Sequence, residues 1–281
     1  MTQISELINS GSKILKENLI SSHQLDSELI LSKILRKSRE NMLISLDQDI
    51  SEETRLRFNN LINRRIKKEP IAYIFKEKEF WNRKFLVNYD TLIPRPETEL
   101  LVEKTLEYFE NKKPYVLDVG TGSGCILLSF LEENKGSKGI GIDISSRAIK
   151  MARKNSKNFG FTGRTKFYNR CINQIYGHKF DLVISNPPYV CSNQMKNLSE
   201  DIKGYEPKIA LDGGNDGLDV IKKVIYKSKS ILKKKGMLAL EIGNGQYRKV
   251  LEVLKLNNFR DKFLIKDYQD NIRCIVSMLE N

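Results

Sequence analysis

Beyond Pro96 the sequence alternates short apolar runs with stretches of helical periodicity, and this alternation limits the possible folds more than any other feature. Candidate strands are Tyr115–Val119, Lys138–Ile142, Thr165–Tyr168, Phe180–Ser185, Met237–Ile242, Phe259–Ile265 and Cys274–Met278. Helices are expected near 97–111, 124–134, 145–158, 217–234 and 245–257. Strand, helix and strand in succession imply parallel strands joined by right-handed crossovers. The expected fold class is therefore α/β, an open, doubly wound, Rossmann-like sheet of seven strands. Ligands of such sheets bind beyond the carboxyl ends of the strands, at the switch in strand order. Residues that carry chemistry are expected there.

The first 70 residues read differently. Ile4, Leu7, Ile8, Gly11, Leu15 and Leu19 follow a 3.6-residue period, and Leu25, Leu29, Ile30, Ile34 and Leu35 follow another. A third helix has Ser51 as its cap, Glu52 and Glu53 in its first turn and Arg64, Arg65, Lys67 and Lys68 in its last. That order of charge complements the helix dipole, and Pro70 stops the helix. Residues 71–95 then turn aromatic and β-prone, with Tyr73, Phe75, Phe80, Phe85, Val87 and Tyr89; Trp81–Lys84 interrupts two apolar runs as a hairpin does. The expected organisation is a small all-helical domain over 1–70, a β-hairpin linker over 71–95 and the α/β domain over 96–281.

Composition excludes several classes. No apolar run is long enough to span a bilayer, and the first twenty residues carry Glu6, Lys13, Lys16 and Glu17, unlike a signal peptide. A cytoplasmic address is expected. Cys125, Cys171, Cys191 and Cys274 lie far apart, which argues against a disulfide framework or a zinc site. Two histidines, His23 and His178, rule out a His-rich metal centre, and neither stands in the setting of a Ser-His-Asp relay. The net charge of +13 suits a nucleic-acid partner, but scattered Lys in an Ile- and Asn-rich chain gives the same balance, so charge alone decides nothing.

Two motifs stand at expected strand ends. Val116-Leu117-Asp118-Val119 leads into Gly120-Thr121-Gly122-Ser123-Gly124 and then an apolar helix. Glycines there permit a tight turn and let backbone approach a ligand with no Cβ in the way. The spacing is GxGxG rather than the dinucleotide GxGxxG, and no Walker Lys-Ser/Thr follows; the shorter form is that of S-adenosylmethionine methyltransferases. The next strand ends at Asp143, whose carboxylate can accept from both ribose hydroxyls or, more plainly, cap the helix that follows.

The second motif, Asn186-Pro187-Pro188-Tyr189, ends the fourth strand. Two prolines fix φ and leave rigid carbonyls. Asn186 adds an acceptor and Tyr189 an exposed aromatic face. A planar NH₂ group needs that set: two acceptors for its hydrogens and a flat surface beneath. Held in line with a methyl donor, such a nitrogen can develop positive charge and lose its proton after transfer.

With these motifs the chain resembles the bacterial release-factor glutamine methyltransferase family (PrmC, also called HemK). The likeness spans nearly the whole chain: Glu79-Phe80-Trp81, the Leu92–Glu99 stretch LIPRPETE, the glycine turn, NPPY, Tyr205-Glu206-Pro207, Gly213–Asp219 and Asp267–Arg273. It implies N5-methylation of the glutamine in the Gly-Gly-Gln loop of class I peptide-chain release factors, with S-adenosyl-L-methionine as methyl donor. By that resemblance Gly120, Thr121, Gly122, Ser123, Gly124 and Asp143 hold the cofactor, with Cys171 as a small apolar wall beside it. Asn186, Pro187, Pro188 and Tyr189 hold the glutamine amide, with Asn186, Pro187 and Tyr189 as the catalytic set. Two positions depart from the family. Lys76 stands where a glycine is usual, and Arg170 where an acidic residue is expected to meet adenine, leaving Asn169 or Asn173 for that contact.

An adenine-N6 or cytosine-N4 nucleic-acid methyltransferase would use the same tetrad, but no extra domain for reading or flipping a base is evident. A ribosomal-protein glutamine methyltransferase and a non-catalytic cofactor-binding module are further alternatives. The expectation is a monomeric enzyme with a protein substrate, no membrane association and no direct nucleic-acid partner; the helical domain is expected to dock the substrate.

Overall fold

The computed structural model describes residues 2–177 and 179–280; His178 lies outside them. The chain divides into two compact units, one running through Lys76 and joined by Ser199–Tyr205, the other made of Glu77–Leu198 and the residues from Glu206 onward. Among the described residues no helix is long and apolar enough to cross a membrane.

The first unit is helical, with helices at Ile4–Glu17, His23–Leu35, Arg39–Leu43, Glu52–Ile66 and Ile71–Phe75. Ile4, Leu7, Ile8 and Leu15 of the first helix are buried with Phe58 and Ile62 of the fourth. Each such side chain contributes roughly 1.5–3 kcal/mol when fully removed from water. The Ser51 hydroxyl accepts from the Thr54 N–H at 3.2 Å, so the expected cap is present. The second helix buries Ile30 as its apolar spacing suggests, with Ile34 and Leu35 partly buried against the same core, but it leaves Leu25 outside. Leu25 is 45% exposed, whereas Ser27, Ile30 and Leu31 are buried. Polar pairing explains this: Ser27 donates to the Ile8 carbonyl at 2.7 Å, and Asp26 pairs with Arg65 at 2.7 Å. His23 is part of the same packing, its Nδ1 2.8 Å from the Ser12 hydroxyl.

The hairpin expected over 71–95 is shorter and begins later. Pro70, with φ fixed near the helical value, opens the short helix Ile71–Phe75 instead. The hairpin pairs Glu77–Phe80 with Arg83–Leu86, and its two turn residues, Trp81 and Asn82, have φ of 51° and 55°. It belongs to the second unit rather than standing as a linker. Phe85 packs edge-on against Phe159 at 4.9 Å, and the buried Asn155 bonds both the N–H and the carbonyl of Leu86.

The second unit is built on a seven-stranded sheet: β1 (Tyr115–Val119), β2 (Lys138–Asp143), β3 (Thr165–Asn169), β4 (Phe180–Ser185), β5 (Leu232–Glu241), β6 (Phe259–Lys266) and β7 (Ile272–Leu279). The spatial order is β6-β7-β5-β4-β1-β2-β3. Neighbouring pairs from β5 to β3 are parallel, but β7 runs antiparallel to both β5 and β6. The all-parallel expectation fails there because Asp267–Asn271 is a tight turn, closed by Asp267 Oδ1 accepting from the N–H groups of Gln269 and Asn271 at 2.9 and 3.0 Å. A parallel crossover needs a dozen or more residues.

Alternate side chains of the sheet feed two cores. Val116, Leu182, Ile184 and Met237 lie with Leu101, Phe130 and Ile149 on one face; Leu117, Val183, Leu238 and Leu240 lie with Ile221, Val224 and Val250 on the other. The strand order reverses between β1 and β4, and there Val119 pairs with Ser185. Gly120 and Asn186 therefore leave the sheet side by side.

Candidate active site

The glycine turn is fixed by backbone bonds to β2. The N–H groups of Gly120 and Thr121 both donate to the Ile142 carbonyl at 2.9 Å. Gly120, Gly122 and Gly124 have φ of 72°, 55° and 83°, conformations that glycine adopts without strain. A Cβ on Gly120 would meet nothing within 4 Å, and one on Gly122 only the Gly120 carbonyl at 3.9 Å. That open space is a cavity of about 510 Å³. Gly124 serves packing instead, since a Cβ there would press on Leu128 at 3.1 Å and Ala152 at 3.4 Å.

Asp143 holds the turn from the other side. Its Oδ2 accepts from the Gly122 N–H at 3.0 Å and its Oδ1 from the Ser145 N–H at 2.8 Å. Ser145, not Asp143, caps the next helix through Ala148 N–H. Each carboxylate oxygen keeps a lone pair after these bonds, and Asp143 lines the cavity. Burial raises its pKa, opposed by hydrogen bonds from the backbone of Ser145 and Gly122. Beneath the turn, buried Asp118 accepts the Thr121 hydroxyl at 2.6 Å, and burial pushes its pKa up to about 7.

The expected site residues divide into two groups. Gly120, Gly122, Asp143, Cys171, Asn186, Pro187 and Pro188 line one cavity; Thr121, Ser123, Gly124 and Tyr189 do not. Thr121 and Ser123 are buried and shape the turn from within. Tyr189 is not the exposed aromatic that the sequence suggests. Its hydroxyl is 3.3 Å from Glu241 Oε1 and accepts from Arg273 Nη2 at 3.3 Å. Burial, then the Glu241 charge, pushes its pKa up to about 12.

Neither Asn169 nor Asn173 lines the cavity. Asn169 Nδ2 is committed to the carbonyls of Asp143 and Ile144 at 3.0 and 2.8 Å. Ile144, Cys171 and Ile172 supply apolar wall on that side, and Arg170 lines the same cavity. A flat heterocycle fits such a wall, an acidic carboxylate hangs beside it, and the glycines leave room for a ligand against bare backbone. The residues present thus suit an adenosyl group.

The polar side chains behind Asn186 are the part that sequence reading misses. Asn186 Nδ2 donates to the Thr98 hydroxyl at 3.2 Å, and Thr98 donates to Glu241 Oε2 at 2.6 Å. Thr98 and Glu241 are both buried. Glu241 ends β5, an acid directly after the apolar run Met237–Leu240, which is the one signal the sequence offers. Burial raises its pKa, opposed by the Thr98 hydrogen bond and the Arg273 charge. Elsewhere, buried Glu206 accepts from Arg95 and from the Ile93 N–H, tying the 93–95 segment to the cavity-lining residues Pro207–Ala210. Gln246 Nε2 donates to the Tyr189 carbonyl at 3.0 Å and steadies the loop from the opposite side.

Comparison with known proteins agrees with this arrangement. Residues 6–75 match the PrmC N-terminal domain and residues 110–272 a methyltransferase domain. A release factor glutamine methyltransferase of Clostridium acetobutylicum is 36% identical over 280 residues, covering 98% of both chains. One from Buchnera aphidicola is 38% identical over 263 residues, covering 94% of both. The fold is shared with a Pyrococcus furiosus methyltransferase at a TM-score of 0.56 and 16% identity, over 78% of this chain and 99% of that one. A glycine turn and an NPPY loop opening onto one cavity, in a chain this similar along its length to those relatives, mean that it belongs to the release factor glutamine methyltransferase family.

Proposed function

We propose that this protein methylates the side-chain amide nitrogen, N5, of the glutamine in the Gly-Gly-Gln loop of class I peptide-chain release factors, using S-adenosyl-L-methionine. The observation that carries the reading is that Gly120 and Gly122 line the same cavity as Asn186 and Pro187. When bound, S-adenosylmethionine supplies an electrophilic methyl group on a sulfonium. Asp143 would accept from its ribose hydroxyls, Gly120 and Gly122 would admit it against the backbone, and Cys171 with Ile144 and Ile172 would flank its adenine. Asn186 Oδ1 and the Pro187 carbonyl each accept one hydrogen of the glutamine NH₂. Two acceptors hold the nitrogen in line with the methyl group and favour the charge it gains as the bond forms. No strong base is required, because the proton is acidic once the amide carries the methyl. Tyr189 acts at a distance from the amide, anchoring the NPPY loop through its hydroxyl.

The division of roles predicts a split. Asn186→Ala raises the methyl-transfer barrier by at least ~2 kcal/mol and leaves cofactor affinity intact. Asp143→Ala weakens cofactor binding by about 1–3 kcal/mol through the loss of charged hydrogen bonds. Single-turnover kinetics and calorimetric titration read the two quantities separately; equal effects on both in both variants would contradict the assignment.

One small loop glutamine offers little binding area, and the helical unit supplies the rest by docking the release factor. Removal of residues 1–70 should raise KM for the release factor while cofactor Kd stays constant, the latter being the check that the remaining unit is folded. An unchanged KM would remove docking from the account.

A further inference from the structure

We propose that Thr98 and Glu241 are positioning residues that set the polarity of the Asn186 side chain, so that its Oδ1 and not its Nδ2 faces the cavity. The inference rests on the reading of Asn186 as an acceptor for the substrate amide and deepens it.

An asparagine amide has nearly the same shape in its two flipped orientations, one presenting an acceptor and the other a donor. Only the first suits an NH₂ substrate; the second sets donor against donor. Nothing in the covalent structure of Asn186 makes that choice. Thr98 makes it, because its hydroxyl has a single proton. That proton is directed at Glu241 Oε2 at 2.6 Å, and a carboxylate oxygen accepts. The Thr98 oxygen must then accept, and Asn186 Nδ2 donates to it at 3.2 Å. A flipped Asn186 would set its oxygen against the lone pairs of Thr98, and the bond between the two side chains would be lost.

Glu241 is the sink of this chain of bonds. From the other side Arg273 donates to the Tyr189 hydroxyl, and that hydroxyl donates to Glu241 Oε1, each at 3.3 Å. The donors therefore run inward to one carboxylate from both directions. Two hydroxyl donors and the Arg273 charge favour the carboxylate form of Glu241 and oppose the burial that raises its pKa. Protonated, it could donate to Thr98 and release the hydroxyl to face either way. Thr98 sits in the first turn of helix Glu97–Tyr108 and Glu241 at the end of β5, so both are carried on rigid elements.

The test compares Thr98→Val, Thr98→Ser and Glu241→Gln with Asn186→Ala in the full-length enzyme. The measurements are kcat on a release factor, S-adenosylmethionine Kd and thermal unfolding. Thr98→Val keeps the shape and removes the hydroxyl; kcat should fall roughly 10- to 100-fold with cofactor Kd unchanged. Thr98→Ser should recover most of the rate. Glu241→Gln should also lower kcat, because an amide in that place can present either polarity to Thr98. A folded Thr98→Val enzyme with wild-type kcat would overturn the proposal. So would Thr98→Ser as impaired as Thr98→Val, or a loss of kcat matched by an equal loss of cofactor affinity. Should Thr98→Val not fold, Glu241→Gln decides on the same criteria. If Asn186→Ala itself keeps kcat, the reading of the whole site fails and this inference with it. If Asn186→Ala is inactive while Thr98→Val is not, only the positioning role fails.

Discussion

Lys76 closes the helix Ile71–Phe75 at φ 59° and ψ 22°, a left-handed conformation that crowds the Cβ of any residue but glycine. The glycine that the sequence analysis expects at this position would adopt that conformation without strain. Lys76→Gly should therefore stabilise the protein, by about 0.5–1 kcal/mol, the relief of strain exceeding the greater freedom that glycine gains when unfolded. Urea denaturation measures it, and a loss of stability would contradict the argument. Other residues were legible for the same kind of reason. Glycines in a strand-to-helix turn, and an acid at the end of the next strand, are demanded by local geometry that sequence spacing reveals. Thr98 and Glu241 were not, since their partnership joins positions 143 residues apart, which only the folded sheet brings together. Tyr189 turns inward because its hydroxyl finds Glu241 and Arg273, partners also remote in sequence.

At the scale of elements, periodicity located every strand of the sheet, and β1 and β4 to the residue. It failed where a connection decides direction or where polar pairs decide a face. The five residues from Asp267 to Asn271 reverse β7, and the Asp26–Arg65 and Ser27–Ile8 bonds place polar side chains on the buried side of the second helix while Leu25 stays exposed. The segment carrying Ile93 and Arg95 depends on a link of the same remote kind. Glu206, with its side chain 1% exposed, takes both the Arg95 guanidinium and the Ile93 N–H. Glu206→Ala should destabilise the second unit by about 3 kcal/mol, because an arginine and a backbone donor are left without their acceptor. Chemical denaturation followed by the fluorescence of Trp81, which lies in that unit, reads the change. A shift under about 1 kcal/mol would mean that water replaces the carboxylate readily.

For the molecule as a whole, the sequence foretold a helical part and an α/β part, and the structure has two compact units. It did not foretell that Ser199–Tyr205, far along the chain, returns to the first unit, where the Tyr205 hydroxyl donates to the Lys67 carbonyl at 2.7 Å. No periodicity encodes such a return. The net charge of +13 remains the feature least used by the site. The adjacency of β1 and β4 sets the glycine turn and the NPPY loop on one cavity. The most direct test of the proposed function is mass spectrometry of an intact class I release factor after incubation with this enzyme and methyl-labelled S-adenosylmethionine. The account predicts a single labelled methyl group on the side chain of the Gly-Gly-Gln glutamine. Label on another residue, on nucleic acid supplied in the same mixture, or nowhere despite cofactor binding, would contradict it.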